Sequence, residues 1–274
     1  MSAEGERAVP AEGESAPFDA SVPHMARVQD YWLGGKDNSA ADREAAEQAI
    51  AANPGIRRDV RANRAFLARA VRYLAAERGI RQFLDIGAGI PTANSTHEVA
   101  QSVAPECRVV YVDNDPVVLA HARALLTSTP QGATAYIDAD LRNTRAILGA
   151  AAQTLDFSRP VAITLLAILH LIPDEAAPYQ IVAALMAAVP PGSYLVISHP
   201  ASDIRPAAVA ELRGRMNARL GPATGTPRDL AAVTRFFDGL ALVEPGVLPP
   251  QWWRPPEAES EAEVALWCGV ARKP

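Results

Sequence analysis

The run Leu84-Asp85-Ile86-Gly87-Ala88-Gly89-Ile90-Pro91-Thr92 sets two glycines directly after a short apolar segment that carries a carboxylate. Glycines there let the backbone turn tightly and come close to a ligand, with the N–H groups of a following helix beyond them. Such a turn also serves simply to pack a helix on a strand, so by itself it decides little. Two further acids sharpen it. Asp113 closes the apolar run RVVYV, where a carboxylate can accept hydrogen bonds from both hydroxyls of a ribose. Asp140 stands just past TAYI and is equally placed to reach the same crevice or to cap the next helix. Asp115, directly before Pro116, is the better capper of its own helix, which leaves Asp113 for a ligand.

The charge pattern selects among ligands. A dinucleotide fingerprint wants a small third residue in G-x-G-x-x-G/A for close packing around a pyrophosphate. Thr92 stands there behind Pro91, and Asp85 would repel a diphosphate. A cationic ligand end tolerates that carboxylate far better, so the pattern suits adenosine bearing an amino-acid sulfonium and suits NAD poorly. Two histidines have a positional reason to meet a substrate: His170 in AILHLIPD and His199 in VISHPASD, each just past an apolar strand-like run. The structural alternatives are a packed helix-start residue for His170 and a strand-end residue before Pro200 for His199. Asp174 and Asp203 read as helix caps, and His97 and His121 fall within predicted helices.

These residues need a parallel sheet to bring them together. Five short, continuously apolar runs, Gln82–Ile86, Arg108–Val112, Thr134–Ile137, Val161–Leu166 and Tyr194–Ser198, are each followed by a helical stretch. The expected helices are 95–103, 116–126, 142–151, 175–189 and about 206–220. Thr226-Pro227-Arg228-Asp229 opens another helix with proline at its first position. Leu240–Glu244 and Val264–Ala271 then follow without a crossover helix and pair most simply as an antiparallel hairpin. The loop between them, LPPQWWRPP, reads either as a hairpin packed on the sheet edge or as an aromatic wall for a flat substrate. Ligands bind at the carboxyl edge of such a sheet, near the point where strand order reverses.

Residues 1–22 are Glu, Ala, Gly, Pro and Ser-rich and read as a disordered tail without the apolar core of a signal peptide. Residues 23–80 form an N-terminal helical cap, and 81–274 the ligand-binding domain. In the cap, Ser39 with Asp42 resembles a capping box for Ala40–Ala52, and Ile56–Arg78 continues helical. Only Lys36 and Lys273 among 26 basic residues are lysine. A lysine in the glycine turn LGGKDN therefore suggests either a solvated Lys-Asp pair or a lid of Tyr31, Trp32 and Lys36, with Lys36 meeting an anionic group. The 274 residues, 49% apolar and 21% charged, fit one large globular domain, and no apolar run reaches membrane-spanning length. Two separate cysteines give no metal framework and point to a reducing, cytoplasmic setting. A net charge of −5 disfavours a broad nucleic-acid face and favours a small-molecule substrate, and an oligomer is compatible with the sequence.

FLDIGAGIPT, VVYVDNDPVVLAHARALL and YIDADLRN, with the terminal antiparallel pair, resemble a class I S-adenosylmethionine (SAM)-dependent methyltransferase. The upstream ARVQDYWLGGKDNSAADREAAEQAI and ANRAFLARAVRYLAAERGIRQFLDIG resemble an actinobacterial group of these enzymes formerly described as a domain of unknown function. The likeness covers roughly residues 22 to 273. It implies an α/β, Rossmann-like, doubly wound seven-stranded sheet of order 3-2-1-4-5-7-6, with the last strand antiparallel. It implies SAM as cofactor, with Asp85, Gly87 and Gly89 near its methionine moiety and Asp113 on the ribose hydroxyls. Asn114 would lie beside the adenine, with Asp140 at its amino group and the Leu141 backbone alongside. A methyl transfer of this kind asks the protein to align an O- or N-nucleophile and exclude water, often with a general base. The two rivals are a SAM-binding regulatory module without catalysis and a NAD-dependent oxidoreductase.

Overall fold

The structure is a computed structural model and describes residues 19–91, 94–125, 128–220, 225–255 and 263–274. Thr92, Pro256 and all of the expected tail before residue 19 lie outside the described residues. Three helices open the chain: α1 (Met25–Leu33), α2 (Ala40–Ala52) and α3 (Ile56–Ala76). The strands are β1 (Gln82–Ile86), β2 (Arg108–Asp113), β3 (Ala133–Asp138), β4 (Ala162–Leu166), β5 (Tyr194–Pro200), β6 (Ala241–Leu242) and β7 (Leu266–Arg272). They lie in the order β3-β2-β1-β4-β5-β7-β6, with β1 to β5 parallel and β7 antiparallel to both neighbours. Interleaved with them are α4 (Thr96–Val103), α5 (Pro116–Leu125), α6 (Thr144–Ala151), α7 (Pro178–Ala187), α8 (Pro206–Leu220) and α9 (Leu230–Thr234).

The continuous apolar character of the central strands follows from burial on both faces. Leu84, Val110, Ile163 and Leu195 point to one layer with Ile147 of α6 and Leu185 of α7. Phe83, Val109 and Val196 point to the other, against Phe66, Ala70 and Val71 of α3 and Val99 of α4. A third, small core joins Val28 and Trp32 of α1, Ala45 and Ala49 of α2, Ile56 of α3 and Met216 of α8. Thus α3 starts inside the cap and ends as a layer of the sheet domain. Trp253 belongs to the sheet core: it is fully buried, edge-on to Phe66 and Tyr73 with ring centroids 5.4 and 5.7 Å away.

Two helices differ from the sequence expectation. The one expected from residue 175 begins only at Pro178, because a proline disfavours right-handed helix in the residue before it, and Ala177 sits at φ 55°. Single 3-10 turns, Leu169–Leu171 and Asp174–Ala176, fill the gap. Pro227 does not start α9; Asp229 caps it by accepting from the Ala232 N–H at 2.8 Å, while Arg228 bridges to Ala201.

The LGGKDN turn is organised by a residue the motif reading passed over. Asp30 is only 3% exposed, and its Oδ2 accepts from the Asp37 N–H at 2.9 Å and the Asn38 side-chain amide at 2.8 Å. A Cβ on Gly35 would fall 1.9 Å from Asp30 Oδ1, so the turn is glycine-rich for close approach to a buried carboxylate. Gly34 closes α1 at φ 88°. Lys36 is exposed on the outside of the turn. Asp30→Ala is expected to destabilise the protein by about 1–3 kcal/mol, the cost of stranding those donors. Lys36→Ala should stay within about 0.5 kcal/mol of the parent. Urea unfolding of both variants checks this, and equal losses would contradict it.

Candidate active site

The chain leaves β1 and crosses the end of β2, with Gly87 N–H donating to the Val112 carbonyl at 2.8 Å. Gly87 and Gly89 sit at φ 78° and 64°, a region that disfavours side chains. A Cβ on Gly87 would come within 2.7 Å of Ile168, whereas nothing lies within 4 Å of one on Gly89. Asp113 pins this loop: its Oδ2 accepts from the Gly89 N–H at 2.9 Å and its Oδ1 from the Asn114 and Asp115 N–H groups at 2.9 and 3.0 Å. Burial raises the pKa of the Asp113 carboxyl against the pull of those N–H groups. Asp115 does the capping, accepting from Val117 N–H at 2.8 Å.

Gly87, Gly89, Asp113 and Asn114 form one wall of a cleft of about 370 Å³. The opposite wall is Pro23, His24, Met25, Ala26 and Gln29, and the floor includes Ala167 and Ile168 from the loop after β4. His24 ties the N-terminal segment down through both its backbone and its ring. The His24 N–H donates to Asp42 Oδ1 at 2.8 Å, and its ring Nδ1 lies 2.6 Å from Asp115 Oδ2. Asp42 is fully buried and also holds the Ser39 N–H and the Arg27 guanidinium.

Several expected ligand residues lie elsewhere. Asp85 is buried beneath the loop, its oxygens each 2.6 Å from a hydroxyl, Thr96 of α4 and Thr164 of β4. Burial raises its pKa, opposed by those two hydrogen bonds and the charge of Arg64. It therefore ties loop, strand and helix together and does not line the cleft. Asp140 lies outside the lining with its carboxylate on Arg142, and Leu141 is buried in the sheet core. Asn143 is the actual cap of α6. Tyr31 donates to Glu47 at 2.5 Å and, like Lys36, is in neither cavity; the cap residues that line the cleft are Pro23, His24 and the first turns of α1.

A second, apolar cavity of about 140 Å³ adjoins the cleft and shares Met25, Gln29 and Ala167 with it. His170 lines this cavity, 7% exposed, and its buried Nδ1 makes no hydrogen bond to the described residues. Burial pushes its pKa down to about 4. His199 is the contrasting case. Its Nδ1 contacts the Pro200 carbonyl and its Nε2 the Arg228 guanidinium, both at 2.9 Å. A carbonyl only accepts and an arginine only donates, so the ring is the neutral Nδ1–H tautomer with both nitrogens taken. Burial holds its pKa down at about 3, and the structure places it outside the lining of both cavities, engaged with Arg228 and the Pro200 carbonyl. Arg228, 4% exposed, donates also to the Leu169 and Ile172 carbonyls and to Asp174, so it fixes the loop that carries His170. Nothing in the local pattern around Thr226-Pro227 signals that long-range role.

A glycine loop pinned by a ribose-ready carboxylate, at the switch point of a 3-2-1-4-5-7-6 sheet, defines a class I, Rossmann-like methyltransferase. Among the described residues the cleft lining holds no arginine or lysine to neutralise a diphosphate, and the open space at Gly89 admits a ligand. The family model described as S-adenosyl methyltransferase matches residues 11–274, and the chain belongs to that family, with SAM as its cofactor. A DUF574 family protein from Streptomyces avermitilis MA-4680 is similar at 45% identity and TM-score 0.90, over 93% of this chain and 99% of that one. A Thermobifida fusca YX protein described as a candidate methyltransferase is similar at 42% identity and TM-score 0.85, over 92% and 96%. The plantazolicin methyltransferase BpumL, solved with S-adenosylhomocysteine, shares the fold at 12% identity and TM-score 0.55, over 91% and 96%. No curated protein matches the chain.

The two buried histidines make stability sensitive to acid. Their folded pKa values, about 4 and about 3, lie below the unfolded value of 6.5, so the unfolded chain takes up protons first as pH falls. Their contribution is complete above 6.5 and declines as pH falls from there through 4 to 3. Replacing His199 with Gln, which can still accept from Arg228, should flatten the loss of stability between pH 7 and 5 by up to about 1.4 kcal/mol per pH unit. Urea unfolding at pH 7, 6 and 5 reads this, and identical slopes would contradict it.

Proposed function

We propose that the protein moves the methyl group of SAM to an O- or N-nucleophile of a small molecule seated in the apolar cavity beside the cofactor cleft. The observation that carries this reading is the shared wall: Met25, Gln29 and Ala167 border both spaces, so a ligand in one abuts a ligand in the other. Bound SAM supplies an electrophilic methyl on a sulfonium. Gly87 and Gly89 bring backbone close to the cofactor, Asp113 takes its ribose hydroxyls on lone pairs that the loop N–H groups leave over, and Asn114 lies beside its base. Asp85 acts at one remove, by fixing the strand and helix from which the loop springs.

The residues 23–29 exclude water from the junction, which favours attack by the intended nucleophile over hydrolysis. His170, neutral near pH 7 and with its Nδ1 unpaired among the described residues, accepts the proton that the nucleophile releases at that nitrogen. Most of the acceleration then comes from alignment of the two ligands across the shared wall. No helix among the described residues is long and apolar enough to cross a membrane, and a small-molecule substrate in a cytoplasmic setting is consistent with that.

Calorimetric titration with SAM, S-adenosylhomocysteine and NADH tests the reading. Both adenosyl ligands should bind saturably and NADH should not. Asp113→Ala should weaken adenosyl binding at least about tenfold, because a ribose left without its acceptor costs on the order of 1–3 kcal/mol. Unchanged affinity in the variant, or preferential binding of NADH, would overturn it.

A further inference from the structure

The lining of the apolar cavity allows its occupant to be described chemically, on the reading that this cavity holds the methyl acceptor. We infer that the acceptor is an uncharged, largely apolar molecule whose buried end is about the size of one ring and presents a hydroxyl or N–H group to Asn63 and His170.

Charge comes first. The walls include Trp32, Val60, Val209, Leu212 and Met216, and the two ionic groups among them that are not exposed, Asp59 and Arg64, already face opposite charges. Asp59 pairs with Arg205 at 2.6 Å. Arg64 faces the negative charge of Asp85, and burial lowers its pKa. Arg213 is exposed at the surface. An ionised acceptor end placed beside Asn63 and His170 would surrender its hydration where Asp59 and Arg64 already face opposite charges and Arg213 lies out at the surface, a cost of several kcal/mol that neutral molecules escape.

Hydrogen bonding comes second. Asn63 Oδ1 and His170 Nδ1 are both buried polar atoms of cavity-lining residues, and neither has a hydrogen-bond partner. Native proteins leave few such atoms unpaired. Oδ1 can only accept, so the missing partner at Asn63 is a donor. With its proton on Nε2, the neutral His170 ring asks for the same at Nδ1. An O–H or N–H on the acceptor meets the need of Asn63 in the ground state and hands its proton to His170 on reaction. Size comes third. The cavity, about 140 Å³, is close to an engineered apolar cavity of about 150 Å³ that holds benzene, so the enclosed part takes one ring or a branched chain of similar bulk.

Calorimetry on the full chain saturated with S-adenosylhomocysteine tests this with four matched probes: cyclohexanol, cyclohexanone, cyclohexanecarboxylate and cyclohexylammonium. Cyclohexanol should bind at least about tenfold more tightly than each of the other three, since a site built around an acceptor rejects analogues that lack the donor. Asn63→Leu should erase the preference for alcohol over ketone, and Asn63→Asp should shift the preference to cyclohexylammonium. S-adenosylhomocysteine titrated against each variant reports whether the variant is folded. Charged probes binding as well as the alcohol, an unaltered preference in folded Asn63→Leu, or no probe binding to the saturated protein would each overturn the inference. Failure of S-adenosylhomocysteine to bind the parent protein would instead overturn the proposed function beneath it.

Discussion

One hydrogen bond, from the Gly89 N–H to the Asp113 carboxylate, fixes the loop after β1 to the end of β2, reinforcing the bond from the Gly87 N–H to the Val112 carbonyl. It places a left-handed glycine turn against the end of β2 and leaves the other face of the turn open. Everything around the site is arranged to keep that carboxylate where it is. Its second oxygen is occupied by the next two backbone N–H groups, and Asp115 relieves it of capping α5. Asp85, one layer down, secures β1 to β4 and α4 through two threonine hydroxyls. Charge-assisted bonds of this kind are stronger than neutral ones, and burial amplifies them.

The same device, a buried carboxylate gathering backbone N–H groups, shapes the cap. Asp42 fixes the backbone at His24, and Asp30 fixes the LGGKDN turn. Between them α1 is held so that Met25 and Gln29 look into both spaces. On the proposed reading, a junction between a cationic donor and a neutral acceptor suits a reaction in which charge disappears from sulfur as the bond forms. The histidines divide accordingly: His199 is spent on Arg228 and the loop, and His170 is left facing the cavity.

Much of this was legible in the residues. The five apolar strands, the glycine turn and the acid at the end of β2 all declare themselves because their causes are local: burial on both faces, φ angles that suit glycine, and position at a carboxyl edge. The parts that escaped have distant causes. Lys36 suggested a lid with Tyr31 and Trp32 because lysine is rare in this composition, but the glycines beside it answer to Asp30, and Pro23, His24 and the first turns of α1 line the cleft. His199 looked as available as His170 until Arg228, 29 residues later, is seen to occupy its second nitrogen. Asn63 and Arg64 sit mid-helix among cap and sheet contacts, and no spacing rule distinguishes them from surface polar residues.

The central claim is that cofactor and acceptor meet across Met25, Gln29 and Ala167. A crystal structure of the protein with S-adenosylhomocysteine measures this directly. The account predicts the ribose hydroxyls on Asp113, the amino-acid end beside Gly87 and Gly89, and the sulfur facing Ala167 and the apolar cavity. A ligand bound elsewhere, or a sulfur turned toward solvent with the apolar cavity closed off from it, would contradict the account.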